Sequence, residues 1–219
     1  MTTKEPHILS DFSERFAPAH TALLIIDMQN DFCLDGFATS RAGRPLDAAQ
    51  AIIPTLETLL RAARQAGVLV CHVGFWTLDH HLSDTAPWLA QRRRATYASD
   101  RIAMAGSEGA DFIEPLSPQP DEPVIRKHRY SAFKGTDLDM VLRARGIKSV
   151  VPTGVSTNVC VESTLRDAFE TGHYTALPRD ACASWDLALH DATLKTANAR
   201  FGLVCDSADL IQVWTGETQ

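Results

Sequence analysis

The stretch IKSVVPTGVSTNVCVESTLRDA, residues Ile147–Ala168, carries two secondary-structure signals in direct succession. Its apolar start, Ile147–Val151, predicts a strand that is buried on both faces. The residues Val159–Thr171 predict a helix, and a glycine-containing turn joins the two elements. Cys160 falls at or near the first turn of that helix. A strand followed at once by a helix is the repeating unit of parallel α/β proteins.

The same unit recurs along the chain. Five further strands are predicted, at Ala22–Ile26, Val68–Val73, Pro123–Arg126, His173–Leu177 and Leu203–Cys205. The helices predicted between them are Ile52–Ala63 with its stop at Gly67, Asp137–Arg145 between Thr136 and Gly146, and Ser184–Phe201. Strands that alternate with helices predict an α/β fold, a three-layer α/β/α arrangement with a six-stranded parallel sheet.

Size and composition limit the classes of function. The chain of 219 residues predicts one domain over residues 1–219, with residues 1–20 as an N-terminal extension. The net charge of −6 disfavours nucleic acid and anionic membranes as partners. Five irregularly spaced cysteines and the lack of a signal-peptide pattern predict a cytoplasmic protein with reduced thiols. The longest apolar run, Ala22–Ile26, is too short to span a bilayer.

Three reactive side chains are predicted at one edge of the sheet. Asp27 follows the first strand, Lys127 follows the third, and Cys160 lies just past the fourth. Each alone is most simply a turn residue, a solvated lysine or a core thiol. Parallel strands place their carboxyl ends at the same edge, which is where ligands bind in such sheets. The three together therefore predict a catalytic site.

This trio suits nucleophilic catalysis. A thiolate is the reactive form of cysteine, and a helix start together with Lys127 is expected to lower the pKa of the Cys160 thiol. Asp27 can take the thiol proton and return it to a leaving nitrogen. The backbone N–H groups of Cys160 and of the turn Gly154–Ser156 are placed to stabilise an oxyanion.

Three segments resemble the signature regions of the isochorismatase-like cysteine hydrolases. They are LLIIDMQNDF (Leu23–Phe32), RKHRYSAF (Arg126–Phe133) and TGVSTNVCVESTLRDA (Thr153–Ala168). The resemblance implies a Rossmann-like six-stranded sheet and an Asp-Lys-Cys triad, here Asp27, Lys127 and Cys160. It also implies a cis peptide bond between Val155 and Ser156, with the N–H groups of Ser156 and Cys160 as the oxyanion hole. It implies no cofactor.

Family members that keep the cysteine resemble amide and ureide hydrolases. This chain is most similar to ureidoacrylate amidohydrolases, and less so to biuret, triuret and N-carbamoylsarcosine hydrolases. The resemblance implies a small substrate with a terminal carbamoyl group and an acyl-enzyme on Cys160. It also implies a homo-oligomer, a dimer or a tetramer.

Three alternatives remain open. A nicotinamidase-type amidase would hold a metal near Asp79, His80 and His81, but adjacent histidines without a third ligand downstream favour no metal. The Gly-x-Ser of GVSTN offers Ser156 as nucleophile, without the final glycine of a serine-hydrolase elbow. An inactive member of the fold that only binds ligands is the third alternative.

Other residues are predicted to shape the substrate pocket. Asn30, Phe32, Trp76 and Tyr130 are candidates for substrate contacts. Arg92, Arg93 and Arg94 could include a clamp for a substrate carboxylate, although a solvated helix face is the preferred interpretation. The irregular residues 74–121 are expected to form the excursion that determines the substrate.

Overall fold

The computed structural model describes residues 5–95 and 100–216, and the following elements belong to these ranges. The strands are β1 (Thr21–Ile26), β2 (Leu69–Phe75), β3 (Val124–Lys127), β4 (Ser149–Val155), β5 (Tyr174–Pro178), β6 (Cys182–Ala183) and β7 (Leu203–Cys205). The shorter helices are α1 (Phe12–Arg15), α2 (Asn30–Cys33), α3 (Ala38–Arg41) and α4 (Asp47–Ala51). The longer ones are α5 (Ile53–Ala66), α6 (Ala86–Arg94), α7 (Leu138–Ala144), α8 (Glu162–Glu170), α9 (Leu187–Arg200) and α10 (Ser207–Thr215).

The strands form one parallel sheet in the order β3-β2-β1-β4-β5-β7, and the two-residue β6 pairs with β4. The predicted six-stranded parallel sheet is thus confirmed, with β6 as an addition. The last residue of β1, Ile26, lies opposite Val73 of β2 and Gly154 of β4. The order of connection reverses between β1 and β4, which is the position where open α/β sheets bind their ligands.

Helices cover both faces of the sheet, as the strand–helix alternation predicts. On one face, α5 and α10 pack against the β1 side chains Leu23 and Ile25. On the other face, α7, α8 and α9 pack against Leu24 and Ile26. Alternate residues of β1 therefore serve two separate cores, which is why the strand is apolar throughout.

Several boundaries differ from the sequence-based prediction. The strand predicted to end at Val151 continues to Val155, because its last four residues stay buried and paired with β1 and β6. The helix predicted from Val159 begins with a π-helical turn, Thr157–Val161, and continues as α8. Cys182 is part of β6, a short strand that was not predicted.

Several helices were not predicted from the sequence: the short helices α1 to α4, and also α6 and α10. α10 follows β7 and begins with a capping box between Asp206 and Asp209. The excursion over residues 74–121, whose residues 96–99 lie outside the described ranges, contains α6 and several short 3₁₀ turns. No helix in the described ranges is long and apolar enough to cross a membrane.

The N-terminal residues pack onto the rest of the chain. The Phe16 side chain is fully buried, and its carbonyl accepts a hydrogen bond from Nε1 of Trp214 at 3.0 Å. The N–H of Leu9 donates to the Tyr174 hydroxyl at 2.9 Å. Residues 5–20 therefore contact both the C-terminal helix and the sheet.

Candidate active site

Asp27 lies at the point where β1 ends. Its backbone has a φ of +54°, a left-handed conformation that Asp tolerates better than most residues. Its N–H donates to the Val73 carbonyl at 2.8 Å, so the residue stays tied to β2 as the chain turns away. The side chain is only 2% exposed and reaches the space above the sheet edge.

Lys127 joins the other two predicted residues. It is the last residue of β3 and is fully buried. Its Nζ donates to Asp27 Oδ2 at 2.8 Å and to Cys160 Sγ at 3.2 Å. The same nitrogen lies 4.9 Å from the centre of the Phe75 ring. A buried ammonium is stable only when it is paired, and here the pair consists of the other two reactive groups.

Cys160 lies in the π-helical turn that joins β4 to α8. Its carbonyl accepts from the Thr164 hydroxyl at 2.7 Å, and that hydroxyl accepts from the N–H of Ala132 at 3.0 Å. Thr164 thereby ties α8 to the loop that follows Lys127. All five cysteines are free and buried, and Cys160 is the one that lines the cavity beside Asp27.

Burial controls the protonation of this trio. Burial and the nearby charge of Asp27 raise the pKa of the Cys160 thiol, and they outweigh the opposite effect of Lys127. The expectation of a lowered thiol pKa is therefore wrong. Burial also raises the pKa of the Asp27 carboxyl above its ordinary value of 3.8, although Lys127 opposes this. Burial alone would lower the pKa of Lys127, but Asp27 and Cys160 outweigh it and raise that pKa.

These shifts favour the thiol form of Cys160 and the ammonium form of Lys127, and they make the Asp27 carboxylate a stronger base. Asp27 uses Oδ2 for Lys127, while its buried Oδ1 has no hydrogen-bond partner among the described residues. A free carboxylate oxygen next to a thiol is a proton acceptor.

The backbone turn before Cys160 is tightly packed. The peptide bond between Val155 and Ser156 is cis. Gly154 has a φ of +97°, and a Cβ built there would lie 2.2 Å from the Ile26 carbonyl oxygen. Only glycine fits where β4 passes this close to β1.

Ser156 has a hydrogen-bonded hydroxyl. It donates to Oδ1 of Asn158 at 2.8 Å, and the Ser184 hydroxyl donates to the same oxygen at 2.7 Å. An amide oxygen is a poor base, so this arrangement offers the Ser156 hydroxyl no activation as a nucleophile.

A cavity of about 330 Å³ opens above the trio. Phe32 and Tyr130, two of the four candidates for substrate contacts, line it together with Asp27 and Cys160. Asn30 and Trp76 are not among the described residues that line it.

Both of these residues have other contacts. The Asn30 amide donates to the Glu108 carbonyl at 2.8 Å. The guanidinium of Arg126 stacks 4.4 Å from the Trp76 ring centre.

Two tryptophans missed by the sequence analysis also line the cavity. Trp88, from α6, lies between Tyr130 and Phe75, with ring centres 4.5 Å and 6.2 Å away. Trp185 also lines the cavity, and its Nε1 donates to the Pro45 carbonyl at 2.9 Å. The one available signal, for Trp88, was a large aromatic residue following a proline at a helix start, which does not reveal a pocket wall.

The histidine pair has a local partner. Asp79, His80 and His81 form a short 3₁₀ turn, and both histidines have positive φ angles. Nδ1 of His81 lies 2.9 Å from Asp84 Oδ2. Within residues 5–95 and 100–216, no group of three or more His, Cys, Asp or Glu side chains could hold a metal ion.

The arginine run divides into two environments. Arg93 and Arg94 are exposed, as expected for a solvated helix face. Arg92 is 8% exposed and lines the cavity, so the solvated-face interpretation does not hold for it.

A parallel sheet between two layers of helices thus carries a buried aspartate, lysine and cysteine in contact at one edge, and comparison with known proteins gives the class of protein. The isochorismatase domain family matches residues 21–209. The chain therefore belongs to the isochorismatase family.

Individual relatives narrow this class. The ureidoacrylate amidohydrolase RutB of Enterobacter sp. (strain 638) is 35% identical over 175 residues, which is 76% of each chain. A cysteine hydrolase from Pseudomonas syringae pv. phaseolicola superposes with a TM-score of 0.80 at 26% identity over 99% of both chains. The N-carbamoylsarcosine amidase of Thermoplasma acidophilum gives 0.69 at 27% identity, covering 86% of this chain and 96% of its own. These matches confirm the predicted enzyme class, a hydrolase of carbon–nitrogen bonds other than peptide bonds.

Proposed function

We propose that this enzyme is a cysteine amidohydrolase that cleaves the terminal carbamoyl group of a small ureide. The observation that carries the proposal is the contact of Lys127 Nζ with both Asp27 Oδ2 and Cys160 Sγ at the floor of one cavity. The names of the relatives, ureidoacrylate amidohydrolase and N-carbamoylsarcosine amidase, support a substrate of this class.

The chemistry follows from the protonation states. Asp27 accepts the thiol proton while the Cys160 sulfur attacks the carbonyl carbon, so a free thiolate need not accumulate. The ammonium of Lys127 stabilises negative charge on the sulfur as it forms. The N–H groups of Ser156 and Cys160 donate to the carbonyl oxygen as it becomes an oxyanion.

The second half regenerates the enzyme. The proton held by Asp27 passes to the departing nitrogen, which is released as ammonia. The rest of the substrate stays bound to the Cys160 sulfur as a thiocarbamate. Water, deprotonated by Asp27, then attacks this intermediate and releases a carbamic acid, which loses carbon dioxide to give the amine. Each proton taken by Asp27 is returned within the cycle, so the site needs no external base.

The test is ammonia release from a panel of carbamoyl compounds by three variants. Cys160→Ala and Cys160→Ser should each lose activity by at least about 1,000-fold, because the nucleophile is absent or too weak. Cys71→Ala, at a buried cysteine of β2 away from the cavity, should keep it. Iodoacetamide should label Cys160 fastest of the five thiols in spite of its raised pKa, because Cys160 lines the cavity and Asp27 beside it can accept the thiol proton.

The same panel separates the alternatives. Nicotinamide should be a poor substrate; if it is the best one, the enzyme is a nicotinamidase-type amidase. Inactivity of the wild-type protein with every compound would favour a member of the fold that only binds ligands. Full activity of both Cys160 variants would exclude the proposed mechanism.

We further propose that the enzyme acts in the cytoplasm as a dimer or tetramer. Five free, buried thiols suit a reducing compartment. Analytical ultracentrifugation measures the oligomeric state, and a monomer at all concentrations would contradict the proposed dimer or tetramer.

A further inference from the structure

Arg92 is a buried cation with unused hydrogen-bonding capacity. Its Nη2 donates to Asp84 Oδ2 at 2.6 Å. Its Nε and Nη1 are buried and have no hydrogen-bond partner among the described residues. These two nitrogens carry three of the five N–H donors of a guanidinium. Arginine is seldom buried without partners for its donors, which points to an acceptor that arrives with a ligand.

Asp84 and Asp100 are the acidic neighbours of Arg92, and neither bonds to its Nε or Nη1; Asp84 Oδ1 is also buried without a hydrogen-bond partner among the described residues. Asp84 Oδ2 also contacts His81 Nδ1 at 2.9 Å. Asp100 Oδ1 lies 3.8 Å from Arg92 Nε, too far for a hydrogen bond. The other oxygen of Asp100 accepts from Arg93 Nη2 at 2.7 Å. Asp84 therefore holds the guanidinium in place without satisfying it.

The position of Arg92 connects it to the catalytic trio. It follows Trp88 by one turn of α6, so the two side chains share one face of that helix. Trp88 is in contact with Phe75, whose ring lies 4.9 Å from Lys127 Nζ. Arg92 and Cys160 line the same cavity. A volume of about 330 Å³ suits a small ligand that spans both residues.

We infer that Arg92 binds a carboxylate at the end of the substrate remote from the scissile amide and thereby determines substrate specificity. This inference rests on the proposed amidohydrolase function and narrows it to carbamoyl compounds that are also acids. A carboxylate oxygen can accept a hydrogen bond from one of these unpaired N–H groups, and its negative charge pairs with the guanidinium. Uncharged ureides such as biuret, and uncharged amides such as nicotinamide, have no such group and would leave these donors unpaired.

A matched pair of compounds tests the inference. The probes are 3-ureidopropionate and its uncharged amide, 3-ureidopropionamide. The wild-type enzyme should prefer the acid, and Arg92→Gln should lower kcat/KM for the acid by about 100-fold. The amide should change by less than about threefold, because it has no carboxylate to lose an interaction. Arg93→Gln, at the exposed neighbour, should change neither.

Arg92→Lys covers the case in which Arg92→Gln fails to fold. Lysine keeps the charge beside Asp84 but cannot place N–H donors at both the Nε and the Nη1 positions. The value of kcat/KM should therefore fall about tenfold for the acid and stay unchanged for the amide. Equal losses for acid and amide in the folded variants would overturn the inference, as would a wild-type enzyme that does not distinguish the two probes.

Binding separates this inference from the proposed function. If neither probe is hydrolysed, calorimetry on Cys160→Ala still measures affinity for each. Binding of the acid at least tenfold tighter than the amide, lost in Cys160→Ala/Arg92→Gln, would support the carboxylate subsite while the proposed reaction fails. Without preference for the acid, the subsite is excluded.

Discussion

At the scale of single residues, burial has more effect on the site than the charge of Lys127. Cys160 and Lys127 lie within hydrogen-bond distance, yet the pKa of the Cys160 thiol rises because the thiol is buried and Asp27 is also near. The carboxyl of Asp27 responds to the same burial and becomes more basic. The presence of these residues at the site was predicted from the sequence. The direction of their pKa shifts depends on how completely other elements bury the side chains.

A pH profile tests the role of Asp27. The carboxyl must be ionised to accept the thiol proton, and its pKa is raised above 3.8. The value of kcat/KM should therefore fall with decreasing pH through an apparent pKa above 3.8, which belongs to the coupled trio. Asp27→Asn should lose at least about 1,000-fold at neutral pH. Asp35→Asn, at an exposed position, is the control.

Two results would contradict the role of Asp27 as the base. An acid limb at or below pH 3.8, or an Asp27→Asn enzyme with more than a tenth of wild-type activity, would exclude Asp27 as the base.

At the scale of elements, the crossover from β4 to α8 forms the site. The strand continues beyond its predicted end, and a π-helical turn precedes the α-helix. The close approach of Gly154 to the Ile26 carbonyl sets how far β4 extends beside β1 before the chain turns. Neither feature has a strong sequence signal, because both depend on the neighbouring strand.

Gly154→Ala tests this close approach. The added Cβ would lie 2.2 Å from a backbone oxygen that cannot move without disturbing β1. The free energy of unfolding should fall by about 3 kcal/mol, and activity should fall with it because Cys160 follows on the same segment. Urea denaturation and ammonia release measure the two effects.

Gly146→Ala is the matched control. Its φ is also positive, at +64°, but no atom lies within 4 Å of the added Cβ. It should cost about 1 kcal/mol and leave activity unchanged. Equal costs at the two glycines would show that the contact with β1 is unimportant.

At the scale of the whole molecule, the parallel topology brings together residues that are 33 and 100 positions apart in sequence. The N-terminal segment also meets the last helix, because Nε1 of Trp214 in α10 donates to the Phe16 carbonyl. The predicted division into one domain with residues 1–20 as an extension stays a prediction, but part of that segment is buried in the core.

Phe16→Ala measures how much the N-terminal segment contributes. The ring is fully buried in the core beside α10, so its loss should lower the free energy of unfolding by about 3–5 kcal/mol. KM should stay the same because Phe16 is not among the described residues that line the cavity. Phe169→Ala, at a ring 45% exposed, should cost about 1 kcal/mol or less. If the two variants unfold alike, the segment is a separable extension.

The sequence by itself determined the alternation of strands and helices, and with it the parallel sheet whose strand ends converge near Asp27, Lys127 and Cys160. It could do so because hydrophobic periodicity reports how one element is buried, and parallel pairing then fixes which ends meet. Only the tertiary structure decided the cavity wall at Trp88, the burial of Arg92 and the direction of the thiol pKa. These depend on the separate elements that pack around a side chain, and the pattern within one element carries no record of them.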